Sequence, residues 1–316
     1  MKSFTRLQNL IFNVPLFVRP DALNFVANWA EQAMQLNVVN SPGAQLFSDD
    51  ADPAAQMRAQ DDRRQALVAE TGVEVLGIHG LLVARTMNMN PCEQTTSYEN
   101  LRRELQRSLA DPMVEHIVLD IDSPGGSAAG AFELAEDIFA ARQVKPITAV
   151  TNFSAYSGGY LLGAAATEMV ISETGGLGSI GVIARHADFS KRNESMGVSV
   201  TTVFAGAHKN DLSPHEPLTE QSMVFLQDMV NTSYERFVAA VARFRGMPEQ
   251  AVRATEANVF FGQRAIDIGL ADRLEPPQAA VNRIAGAVQA ARASRAAAPP
   301  RRITHQARAM ALANQS

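Results

Sequence analysis

One cysteine, Cys92, stands in 316 residues. No intramolecular disulfide can close on it and no cysteine-based zinc cluster can assemble around it, so the chain suits a reducing compartment and its chemistry does not rest on sulfur. Long apolar runs are also missing. No stretch of 18 or more apolar residues occurs, and the best N-terminal candidate, Leu10 to Val18, is broken by Asn13 and Pro15 and followed by Arg19. Neither a membrane anchor nor a cleavable signal is expected, which places the protein in the cytoplasm. Acid is absent after Pro276, where arginines 283, 292, 295, 301, 302 and 308 make the tail +6 against −11 for the rest, summing to a net charge of −5. Hydrophobic residues make up 46% of the chain, ordinary for a packed core.

The texture divides the chain in three. Residues 1–70 mix short apolar pieces with a polar stretch holding Asp49, Asp50, Asp52, Asp61 and Asp62, an extension ending in a solvated helix or linker and contributing little core. Residues 71–276 alternate strands and helices, which predicts an α/β domain with a largely parallel sheet. The strands are expected at Val73–Ile78, Ile117–Leu119, Pro146–Val150, Met169–Ile171 and Val198–Phe204. Ser97 caps one helix with Leu101, Leu105 and Leu109 on a common face, another turns Phe132, Ala135, Ile138 and Phe139 inward, and a long one spans about 219–244. The core closes near Leu270-Ala271-Asp272. Residues 277–316, rich in alanine and arginine with Pro299-Pro300, read as a frayed helix or flexible tail.

Three segments carry the chemistry. Ser157-Gly158-Gly159-Tyr160 falls at a strand-to-helix junction, and Gly163 with alanines 164–166 lets that helix pack closely. Alone, this is as well explained by a serine N-cap. Ser123-Pro124-Gly125-Gly126 follows the carboxyl end of a strand, where open α/β sheets place ligand sites; alone, it is a tight turn. Lys209, in Phe204-Ala205-Gly206-Ala207-His208-Lys209-Asn210, serves as a base only if apolar surroundings lower its pKa by roughly three units; alone, it is a surface lysine.

Taken in order, these segments resemble the signal peptide peptidase A family of serine proteases, within the ClpP and crotonase superfamily. The likeness runs from about Val73 to Asp272 and includes Gly178-Ser179-Ile180-Gly181-Val182 and the closing Gly269-Leu270-Ala271-Asp272. It implies a ClpP/crotonase-like core of repeated β-β-α units and a Ser-Lys dyad. By that likeness Ser157 is the nucleophile, Lys209 the general base, Gly126 and Gly158 the oxyanion donors, and Ser179 the hydroxyl that orients the lysine. It implies no cofactor and no metal. It also implies a ring-like homo-oligomer. The strands flanking the site, near Gly125, Gly178, Gly181 and Val182, are expected to take an extended polypeptide as an added strand. The missing anchor, the N-terminal extension and the Ala/Arg tail are similar to the phage and prophage branch, head-maturation proteases that act on scaffold, capsid or portal proteins in the host cytoplasm or prohead. His208 departs from the aromatic residue that often precedes the family's lysine.

Other readings compete. A bacterial peptidase of the same family would degrade signal peptides or unfolded chains. His186, 29 residues after Ser157, would be the base of a triad such as ClpP uses. A thioester reaction on the same architecture would leave Ser157 and Lys209 unexplained, and a ring-forming assembly factor would need neither. Gly176-Leu177-Gly178-Ser179-Ile180-Gly181 matches a dinucleotide fingerprint, but Ile180 to Ala184 reads as strand where that fingerprint must open a helix. Six arginines among alanines, with no aromatics to stack on bases, make a solvated or scaffold-contacting helix rather than a nucleic-acid surface.

Overall fold

The computed structural model describes residues 14–19, 53–85 and 95–297, with backbone alone for 53–60. The predicted tail beyond 297, with Pro299-Pro300 and three of its arginines, lies outside the described residues, as does Cys92. The elements run β1 (Leu16–Val18), α1 (Pro53–Thr71), β2 (Val73–Val83), β3 (Thr95–Ser97), α2 (Tyr98–Ala110), β4 (His116–Ser127), α3 (Ala131–Ala141), β5 (Ile147–Tyr156), α4 (Gly158–Ala164), β6 (Glu168–Ile171) and β7 (Gly176–Gly178). After them come α5 (Ser190–Ser195), α6 (Glu220–Arg245), α7 (Glu249–Arg253), β8 (Val259–Phe261), α8 (Gln263–Asp267), β9 (Arg273–Leu274) and α9 (Pro277–Ala297). The central path β3-β2-β4-β5-β6-β9 is parallel throughout, the expected α/β architecture. Two antiparallel pairings flank it, β1 on β4 and β7 on β8.

Side-chain alternation builds two cores. Leu76, Ile78, Ile117, Leu119, Ile121, Ile147, Ala149, Met169 and Ile171 face the larger one, beneath α2, α3, α4 and α6. Val73, Val118, Val150 and Val170 face the other way and are covered by Ala280, Ile284 and Val288 of α9. The frayed helix expected from composition is therefore a packed one, because three apolar positions at four-residue spacing suffice to cover a valine stripe. Its arginines are tied to core acids: Arg283 binds Glu168 and Glu275, each at 3.0 Å, and Arg292 binds Glu115 at 2.6 Å. Three of the six tail arginines, Arg295 among them, are thus engaged in ion pairs within the chain.

Ser97 caps α2 as expected, its hydroxyl accepting the Asn100 N–H, and Thr219 caps α6 in the same way. Two expectations fail. Residues 198–204 form no strand; they lie in an exposed segment, the arm, with Val203 at 93% exposure, and pair with no strand of the described sheet. The N-terminal extension does enter the core: Phe17 is fully buried. Its side chain could not be assigned to a core from sequence because its partners, Phe132 and Phe237, lie more than 100 residues away.

The closing Leu270 and Asp272 have structural work. Leu270 O accepts the Tyr160 hydroxyl at 3.0 Å, and Asp272 takes both Arg245 nitrogens at 2.7 and 2.8 Å together with the Met169 N–H. Burial opposes the charged form of Asp272, yet those donors outweigh it and hold its carboxyl below the ordinary range. His116 behaves oppositely. Burial drives its imidazole down to about 4, with Glu168 opposing and Arg283 reinforcing, while Nε2 meets the Thr148 hydroxyl at 2.9 Å. The unfolded chain then binds a proton that the folded one refuses, so stability is full above about pH 6.5 and falls as pH drops toward 4. A His116→Gln protein should lose less melting temperature than wild type between pH 7 and 4.5. Equal losses in thermal scans would show that His116 does not drive this decline.

Candidate active site

β5 ends at Tyr156 and α4 begins at Gly158, leaving Ser157 at the corner with φ 53° and ψ −115°. An N-cap serine sits in the extended region and bonds the helix with its hydroxyl; Ser157 does neither. Its backbone is held instead, its N–H donating to Gly178 O at 2.8 Å and its carbonyl accepting the Leu161 N–H at 2.9 Å. The hydroxyl is left over: Ser157 is 1% exposed and Oγ has no hydrogen-bond partner among the described residues. Such a backbone costs about 1–3 kcal/mol and an unmet buried hydroxyl adds to it, a combination that proteins keep at reacting positions. The N-cap explanation thus fails on geometry.

Close packing aims the neighbouring amides. A Cβ on Gly159 would lie 3.2 Å from the Ser123 Cβ, and one on Gly163 would lie 3.0 Å from Ile121 Cδ1, so α4 rests on the end of β4. Ser123 is fully buried; its hydroxyl donates to Gly80 O at 2.7 Å and accepts the Gly125 N–H at 3.1 Å. That fastens the turn in which Gly125 takes φ 101°, a value that favours glycine. The Gly126 nitrogen ends 3.5 Å from where a Gly158 Cβ would stand, so the two glycines expected to hold an oxyanion lie close together, one of them next to Ser157 in the chain.

The remaining predicted residues divide. Ser179, at φ 55°, follows the Gly178 whose carbonyl holds Ser157, and its own N–H donates to Asn258 O. Gly178 has both edges taken, by β5 and by β8, and is closed to an added strand. Gly181 sits against Ala257 and Val182 packs partly into the core; one residue on, Ile183 does pair with an extended segment, its N–H and C=O both bonded to Leu16. Lys209 does not bond the Ser157 hydroxyl. It is exposed on the arm, in a segment tied to the start of α6 by Gln221, which donates to Ala207 O and Asp211. The apolar burial expected of it is missing within one chain, because the valines before it project outward instead of forming a strand. His186 is half-buried and does not bond the Ser157 hydroxyl either.

Residues 140–291 match the model of peptidase family S49, a span that holds Ser157, Ser179 and Lys209. The chain carries a peptidase family S49 domain. Over 87% of its length it is 34% identical to capsid assembly protease C of Escherichia phage lambda, and over 83% it is 37% identical to head-tail preconnector protein GP5 of Enterobacteria phage P21. It spans 64% and 53% of those relatives' own lengths. A solved enoyl-CoA hydratase/isomerase family member is similar at a TM-score of 0.40 and 14% identity, over 70% of this chain and 72% of its own. No helix among the described residues is long and apolar enough to cross a membrane.

Sequence reasoning passed over two parts of this S49 site. Ser123 was legible only as a turn residue, although its place in Asp122-Ser123-Pro124-Gly125-Gly126 was the available signal. The cluster of Phe17, Phe132 and Phe237 next to the glycines had no local signal, since three distant segments make it.

Proposed function

We propose that the chain is a serine endopeptidase that cleaves extended polypeptide with a Ser-Lys dyad. The observation that carries this is Ser157: buried, held at a strained corner, its hydroxyl unmatched and two glycine amides beside it. Lys209 takes the Ser157 proton as Oγ attacks the scissile carbonyl. The Gly126 and Gly158 N–H groups hold the oxyanion, and the lysine returns the proton to the leaving amine before water releases the acyl group. Because Lys209 stands exposed while no base among the described residues meets Ser157, the lysine is supplied by a neighbouring copy in a homo-oligomer. Met196, Val198, Val200, Val203 and Phe204 on the arm, with Met223, Val224 and Phe225 on α6, are exposed apolar residues suited to that contact. Burial there would lower the lysine's pKa by desolvation and leave it the neutral base the reaction needs. Ser179 orients it.

The likeness to two phage proteins, one a capsid assembly protease, over more than four-fifths of this chain favours scaffold, capsid or portal proteins as substrates. Intact mass spectrometry of unfolded casein and of a scaffold protein, with wild type and Ser157→Ala, tests the reading. Cleavage by wild type alone is expected. Identical products from both proteins would rule out Ser157 as nucleophile, and no cleavage by either, with rings still forming, would leave an assembly factor.

A further inference from the structure

Strand β1 lies where an extended substrate would. It is paired on both edges, antiparallel to β4 through Phe17 opposite Gly126 and Val18 opposite Gly125, and bridged to Ile183 through Leu16. Leu16 turns its N–H and C=O to Ile183, at 2.8 and 3.1 Å, and the Arg19 N–H donates to Pro124 O at 3.1 Å. Alternation along a strand therefore turns the Phe17 N–H and C=O to Gly126, whose amide is one of the two proposed oxyanion donors. The Phe17 oxygen lies 1.9 Å, and the Gly158 nitrogen 3.1 Å, from where a Gly125 Cβ would be, so only glycine at 125 admits this carbonyl. The Phe17 ring fills a pocket against Phe132 at 5.2 Å and Phe237 at 4.7 Å. Arg19 adds a cation–π contact over Tyr156, next to Ser157.

We propose that Leu16–Arg19 is a resident, substrate-like strand: Phe17 occupies the pocket for the residue whose carbonyl is attacked, and the strand must leave before another polypeptide can bind. The inference rests on the peptidase reading and deepens it. It assigns Phe132 and Phe237 as specificity-determining residues for aromatic or large aliphatic side chains, and makes β1 an internal competitor. No base among the described residues meets the Ser157 hydroxyl, so the strand rests there uncut. The strand is three residues long, and its detachment would leave the β2-β4-β5 ladder unbroken.

The test uses binding and exchange, which need no turnover. A fluorescent peptide of sequence Val14–Pro20 is titrated into the full-length Ser157→Ala protein with and without Phe17→Ala. Binding at least tenfold tighter to the double variant is expected, with an Asp in place of Phe in the peptide abolishing the gain. Equal binding to both would overturn the proposal. Should Phe17→Ala fail to fold, hydrogen exchange on wild type decides. Leu16, Phe17 and Arg19 amides are expected to exchange at least a hundredfold faster than those of Ile117–Ile121, and exchange of both only with global unfolding would make β1 a fixed core strand. If the peptidase reading itself is wrong, Ser157 will resist a fluorophosphonate probe in every form, whatever the peptide does.

Discussion

Replacing Ser157 with glycine is expected to reduce peptide hydrolysis at least ~10⁴-fold, as loss of a nucleophile does in other serine enzymes, and yet to yield a better-folded protein than Ser157→Ala. Both variants lack the hydroxyl. They differ at φ 53° and ψ −115°, where a Cβ is strained and glycine is not. Alanine keeps the strain that serine bears, so glycine should be more stable than alanine by about 1 kcal/mol, after part of the 1–3 kcal/mol of strain is returned to the greater freedom of unfolded glycine. Urea denaturation of the two inactive proteins measures the difference. If alanine proves the more stable, the corner is not strained, and the unusual backbone has another cause than holding a nucleophile.

Lys209→Ala is expected to lower kcat by about 10³-fold or more, the scale of a lost general base acting on a weak nucleophile. The mixture is more telling. With the lysine supplied by a neighbour, each site needs Ser157 from one copy and Lys209 from another. Randomly mixed rings of Ser157→Ala and Lys209→Ala chains then recover about a quarter of wild-type activity, since one pairing in four unites both intact residues. Pairing within a single chain gives none, because every chain lacks one of the two. The exposed position of Lys209 and the buried one of Ser157 lead to the first outcome. A mixture as inactive as its components would mean that Ser157 and Lys209 act within the same chain, with the arm folded back onto Ser157, whereas activity kept by Lys209→Ala alone would make His186 the base.

Local rules carried much of this reading. Hydrophobic alternation marked the strands of the parallel sheet because each buries alternate residues on two faces, and Ser97 marked a helix start because its hydroxyl satisfies a local N–H. Small residues after Ser157 and glycines after Ser123 were conspicuous because close approach of α4 to β4 leaves no room for side chains. Where outcome depended on what lies opposite, the same rules misled. Residues 198–204 have strand-forming composition and no edge to join, the alanine-rich helix α9 looked too weak to pack until a valine stripe met it, and Phe17 in an apparent extension entered the main core.

The sequence by itself determined the parallel α/β sheet and singled out the segments around Ser123, Ser157 and Lys209, since each is written in residues close together in the chain. Only the tertiary structure decided that Ser157 stands at a strained corner with its hydroxyl unmatched among the described residues, that Lys209 is exposed, and that β1 pairs beside Gly125 and Gly126. Those are relations between segments tens to more than a hundred residues apart, set by which surfaces meet on folding, and no local pattern encodes them.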